Sequence, residues 1–231
     1  MIEMVRRFLR QKYGSAGAVV ALALLALLEI LHLASRGADT GFQLANWAIF
    51  VLAAGSVSRD VSSGALQMIL SRPIRRTEYL FGRYLGILAG YAAFLAVTSA
   101  LAFLAVNAIP TGEADLTLAG LSVAAGGAFF AGAFQAAILL FFSTFLPGIA
   151  DLLGLLMLYL ILNLPPWKTP WLRDAARLAR ENLTPIVPWN DVLRGHGILG
   201  AATGRWVFAL CVYLALAAVV FCRRELPYGQ D

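Results

Sequence analysis

Long apolar runs, broken by short polar stretches, recur from one end of the chain to the other. A membrane-spanning helix needs about 20 predominantly apolar residues. Six runs read as spans on that basis, at about 15–34, 42–57, 79–106, 118–142, 149–164 and 204–222. The pattern predicts an all-α membrane protein, a six-span helical bundle in one transmembrane domain over 1–231. The third run would make about 42 Å of helix, against a hydrocarbon core of about 30 Å, so it should tilt or project into water. The fifth is short and depends on Leu152–Leu164 being continued at one end. Ahead of the first run, residues 1–14 place Ile2, Val5, Phe8 and Leu9 near helical spacing among Arg6, Arg7, Arg10 and Lys12. That predicts an amphipathic helix lying on the membrane surface. The alternative, a cleaved leader, lacks an A-x-A-like site after Ala16–Leu33, so this run is expected to stay as the first span.

Composition agrees with the pattern. The chain is 60% apolar and 13% charged, whereas soluble domains average about 45–50% and about 25%. A water-soluble surface and disorder are both excluded. The net charge of +5 does not point to nucleic acid, because the cations sit between apolar runs, where they set topology. Arg6, Arg7, Arg10 and Lys12, then Arg59, Arg72, Arg75, Arg76 and Arg83, then Arg223 and Arg224 fall on one side; Arg36 alone falls in the short loops of the other. Both termini are therefore expected in the cytoplasm, with the chain multi-pass in the cell's inner (plasma) membrane. The 165–203 segment becomes external. In it Thr169 and Pro170 start a helix, and WLRDAARLAREN separates Leu172, Ala175, Leu178 and Ala179 from Arg173, Arg177, Arg180 and Glu181. With Trp167, Trp171 and Trp189 nearby, this predicts a helix on the outer membrane surface before the last span.

Sites for chemistry are few. No G-x-x-x-x-G-K-[ST] occurs, so the chain carries no phosphate-binding loop of its own, and neither H-E-x-x-H nor G-x-S-x-G is present. Cys211 and Cys222 lie about 16 Å apart along one helix, too far for a disulfide. Glu29, with His32 one turn on, is a candidate intramembrane polar pair. Two readings stand for it: a cation or substrate contact, or a pair near the outer end of the first span satisfied by each other or by interfacial water. Small residues repeat at four-residue spacing in Gly82, Gly86 and Gly90, and again in Gly120, Ala124, Ala128, Gly132 and Ala136. Such seams let helix backbones approach closely in lipid, so both are expected to be packing faces.

The most specific stretch is SVSRDVSSGALQMILSRPIRRTEYLFGRYLG, residues 56–86. Asp60, Ser63, Gln67 and Ser71 make a polar stripe around Val61, Ala65, Met68 and Ile69, predicting a short amphipathic helix on the inner face. Pro73 ends it. Thr77 is placed to cap the next helix, with Glu78 in its first turn. The order of an acid at Asp60, Gly64, LQMILSRP, a basic patch, then YLFGR resembles the signature of ABC-2-type permeases, the membrane subunits of ATP-binding-cassette transporters. Asp60 stands where a glutamate is commonest. RPIRRTEYLFGRYLG looks closest to the subgroup labelled permeases for multicopper-enzyme maturation.

That resemblance implies a mechanism. Residues 60–72 would be the coupling helix, with Asp60, Val61, Gly64, Leu66, Gln67, Leu70 and Arg72 docking a separate cytoplasmic ABC ATPase. Two ATPase copies would drive two permease chains, as a homodimer or a paralogous heterodimer, in export. ATP and magnesium would belong to the partner, and this chain would bind no cofactor and carry no catalysis. A non-transporting membrane scaffold or sensor is the alternative, and ATPase co-purification with ATP-driven transport discriminates them. The apolar bundle favours lipids, hydrophobic peptides or drugs over ions as cargo. Two His, two Cys and four Met supply a copper path poorly with soft ligands.

Overall fold

The computed structural model describes residues 2–37, 41–62, 66, 74–108, 116–146, 150–163, 170–195 and 200–223. Among these residues every regular element is a helix: α1 Ile2–Tyr13, α2 Ala16–Arg36, α3 Ala45–Ala53, α4 Ser58–Ser62, α5 Arg76–Ala108, α6 Leu118–Ser143, α7 Ala150–Asn163, α8 Pro170–Leu183, α9 Trp189–Leu193 and α10 Ala201–Arg223. Four of them, α2, α5, α6 and α10, are long and apolar enough to cross a membrane.

The run at 42–57 departs most from expectation. It is helical only over Ala45–Ala53, about 13 Å of rise. Residues 41–44 approach it as non-helical backbone, with Gly41 and Phe42 buried, Gln43 exposed and Leu44 half-buried, starting at Gly41 with φ +71°. Gly55, with φ +64°, lies in the turn that follows, and both are conformations that only glycine adopts freely. Ala45, Ala48, Ile49, Leu52 and Ala53 of α3 are all fully buried, while Trp47 is exposed, so one face of this short helix packs against protein. The fifth run is helical over Ala150–Asn163, about 21 Å. Helix α5 is longer than expected, at 33 residues, or about 50 Å. Its start is not capped by Thr77: the Glu78 carboxylate reaches back to accept from the Arg75 amide at 3.4 Å.

The chain divides into two compact units. The first comprises residues 1–53, 82–136 and 188–198. Its core is the contact of α5 with α6, where Tyr91 is fully buried. Gly132 makes the room: a Cβ there would lie only 2.3 Å from Tyr91 Cε1. The Tyr91 hydroxyl stands 3.3 Å from the Ala128 carbonyl and 3.4 Å from Asn46 Oδ1. Ala124, Ala128 and Ala136 of the same small-residue seam are buried. Trp189 of α9 stacks on Phe130 with ring centroids 4.6 Å apart.

The second unit comprises residues 54–81, 137–187 and 199–231. In it the amphipathic helix α8 is fastened to α10: Tyr213 donates to the Leu183 carbonyl at 3.2 Å, and Arg205 to Glu181 at 3.2 Å. Leu178 of α8 is exposed. Arg177, one turn before Glu181, donates to it at 2.9 Å and holds its carboxyl below the ordinary carboxylate range, with Arg205 adding to the effect. A depressed acid contributes stability above its unfolded value, here 4.5, and loses it as pH falls through the lower folded value. We expect α8 to loosen on acidification below about pH 4, and Glu181→Gln to remove that dependence. Because the pair is solvent-exposed the effect is small. Hydrogen exchange of the 177–183 amides between pH 7 and pH 3, corrected for intrinsic rates, measures it.

Candidate functional site

The segment between α3 and α5 is where sequence placed the chemistry, and its described part is held by buried polar contacts. Helix α4 has only five residues, too few to be stable alone. Its leading amides find acceptors outside it. Gly55 N–H donates to Asp151 Oδ2 at 2.7 Å, while the Val57 and Ser58 amides share Ser143 Oγ at 3.1 and 3.2 Å. Asp151 also accepts from its neighbour, the Leu152 amide, at 2.9 Å. Both Ser143 and Asp151 are fully buried. Within α4, Asp60 accepts from the Tyr79 hydroxyl at 2.6 Å. The Tyr79 ring lies against Phe221 at 5.7 Å, and Arg76 donates to the Cys222 carbonyl at 3.1 Å. The start of α5 thus meets the end of α10 beside the same segment.

Of the expected docking residues, Asp60 and Leu66 are buried and Val61 is half-buried. Gly64, Gln67, Leu70 and Arg72 lie outside the described residues. Arg59 of α4 is exposed. Ser143 and Asp151 were not singled out from sequence. Ser143, beside Thr144, closes one apolar run and Asp151 stands at the start of the next, and only the fold brings them to the 55–58 turn.

The Gly82, Gly86 and Gly90 face of α5 is covered by α1. A Cβ on Gly82 would lie 2.9 Å from Met4 Sδ, one on Gly86 2.8 Å from Phe8 Cδ1, and one on Gly90 3.3 Å from Leu9 Cδ2. The apolar side of α1 therefore packs on helix α5, while Arg6, Arg7 and Arg10 are exposed. Hydrogen bonds fix the docked helix. Tyr13 donates to the Gly90 carbonyl at 3.0 Å, Lys12 to the Val51 carbonyl at 3.3 Å, and Arg83 to Gln11 Oε1 at 3.1 Å. The Arg83 guanidinium also lies 5.4 Å from the Phe8 ring centroid, within cation–π range.

Glu29 lies on the inward stripe of α2 with Leu22 and Leu33, and its side chain is completely buried. The backbone amides of Gln43, Leu44 and Ala45, where α3 begins, face its carboxylate. None closes to a full hydrogen bond, so both oxygens lack a partner among the described residues, as does His32 Nε2. Among the described residues no three His, Cys, Asp or Glu side chains gather as a metal site.

Four helices long and apolar enough to cross a membrane, among described residues whose regular elements are all helical, mark an α-helical membrane protein. Residues 8–171 match the sequence profile of the ABC-2 family transporter proteins. The chain belongs to that family, whose members are membrane components of ABC transporters without catalytic activity of their own. A search of curated proteins returned no match.

Proposed function

We propose that this chain is the permease subunit of an ATP-driven exporter, and that residues 60–72 dock a separate cytoplasmic ATPase. The observation that carries the reading is the family match over 8–171, which contains this segment. Two permease chains and two ATPases form the working unit, in the inner (plasma) membrane, and nucleotide and magnesium are handled by the ATPases. Six crossings are made by the four long helices together with α7 and the composite of α3 and its 41–44 approach. Both termini are cytoplasmic and α8 lies outside. Asp60 and Leu66, being buried, hold the segment against its own chain. The docking contact falls on its other face, which includes Arg59.

Purification of the tagged full-length chain from its own host in mild detergent should bring down an ATPase with a phosphate-binding loop, and Leu70→Asp should release it. A wild-type chain that purifies alone, with no ATP hydrolysis, would overturn the reading. ATP-driven movement of cargo by the complex then separates a transporter from a scaffold. Topology has its own test. A cysteine at Ala175, in a chain with Cys211→Ser and Cys222→Ser, should react with an impermeant thiol reagent added outside intact cells. Reaction only after lysis would contradict the six-crossing arrangement.

A further inference from the structure

The 55–58 turn and α4 could have been joined to the bundle by apolar packing alone. Instead, Ser143 at the end of α6 and Asp151 in the first turn of α7 take three backbone donors, the Gly55, Val57 and Ser58 amides, at the head of α4. One hydroxyl, Ser143 Oγ, serves both Val57 and Ser58. One carboxylate, that of Asp151, bridges the Gly55 amide and the first turn of its own helix through Leu152. Apart from the half-buried Leu152 these groups are buried, so at the 55–58 turn water does not readily replace a lost partner. Sharing has a mechanical consequence. The turn cannot shift relative to the end of α6 without breaking both Ser143 bonds, nor relative to the start of α7 without breaking the bond to the buried Asp151 side chain. We propose that Ser143 and Asp151 are positioning residues that couple displacement of the docking segment to α6 and α7, so that ATPase motion reaches these helices through the 55–58 turn.

The inference rests on the reading of 60–72 as the docking segment, and its test keeps the two apart. On the permease alone, Ser143→Ala removes one oxygen from a helical position and should raise amide exchange at Val57 and Ser58 at least tenfold, with Ser143→Thr restoring protection. Unchanged exchange in Ser143→Ala overturns the proposal. In the complex with the co-purifying ATPase, reporter cysteines go at Arg59 in α4 and at Leu153, which is exposed on α7, in a chain lacking Cys211 and Cys222. Magnesium-ATP should change the thiol-labelling rate at both positions. In Ser143→Ala/Asp151→Asn the Arg59 response should persist while the Leu153 response falls at least fivefold, with ATPase still bound. A Leu153 response that survives in this variant overturns the relay. Loss of the Arg59 response as well overturns it too, because the pair then supports the docking segment itself. If the wild-type chain holds no ATPase, the docking reading fails and the relay fails with it.

Discussion

Gly86→Leu should dislodge α1 from α5 and lower the melting temperature of the detergent-solubilised chain by several degrees. Propensity argues the other way, since leucine is better than glycine in a helix by nearly 1 kcal/mol. Packing decides. A Cβ at this position would stand 2.8, 3.0 and 3.2 Å from Phe8 Cδ1, Cγ and Cβ, which is the root of the side chain as well as its rim. Phe8 is 1% exposed and lies beneath Arg83 at 5.4 Å and Lys12 at 6.0 Å. The ring has no space to rotate into, so α1 itself must move. Overpacking a filled contact costs about 1–3 kcal/mol, occasionally more, and leucine extends three carbons beyond the Cβ. The displaced helix also forfeits the Tyr13–Gly90 and Lys12–Val51 hydrogen bonds. Leu88→Ala, at a half-buried position two residues on, should be milder. Exchange of the 2–13 amides reports the detachment directly. Native protection of α1 in Gly86→Leu would mean that the glycine face is not a tight seat.

Hydropathy made the long elements legible. The runs read at 15–34, 118–142 and 204–222 fall on Ala16–Arg36, Leu118–Ser143 and Ala201–Arg223, because a long, nearly charge-free run has few alternatives to helix in lipid. The 170–183 helix was equally legible, since proline marks its start and a two-sided pattern marks its face. The 42–57 run was misread for a physical reason. A hydropathy window averages over turns as well as helix, so it cannot see Gly41 and Gly55 turning the chain. Partners were the other blind spot. The apolar positions of α1 suggested a face for lipid, while the structure gives Met4, Phe8 and Leu9 to the glycines of α5. Helical spacing states which residues share a face and is silent about what covers it. Ser143 and Asp151 carry no local signal at all. Their meaning lies in amides more than eighty residues earlier in the chain, and only an acid in the first turn of α7 hinted that one existed.

Glu29→Leu should destabilise the chain by about 2–4 kcal/mol, and Glu29→Gln by about 1 kcal/mol. An apolar replacement of a buried charge is often neutral or stabilising when both members of a pair are exchanged. That outcome is closed here, because what faces Glu29 is backbone. The amides of Gln43, Leu44 and Ala45 open α3, and the first amides of any helix have no acceptor within it. Phe42 and Ala45 are buried beside them, while Gln43 itself is exposed. An anion at a helix start is favoured by the partial positive charge there, and a neutral amide oxygen retains part of that interaction. Leucine retains none of it and leaves the donors against hydrocarbon, each at about 1–3 kcal/mol. The geometry sets an upper bound, since neither Glu29 oxygen closes to a full hydrogen bond; the loss is therefore less than three unmet amides would cost. His32, one turn on with Nε2 also unmet, can draw no compensation from leucine. Thermal unfolding in detergent ranks the three chains, and exchange at residues 43–46 locates the damage. Should Glu29→Leu prove as stable as the parent, with those amides still protected, the carboxylate is not what holds the start of α3.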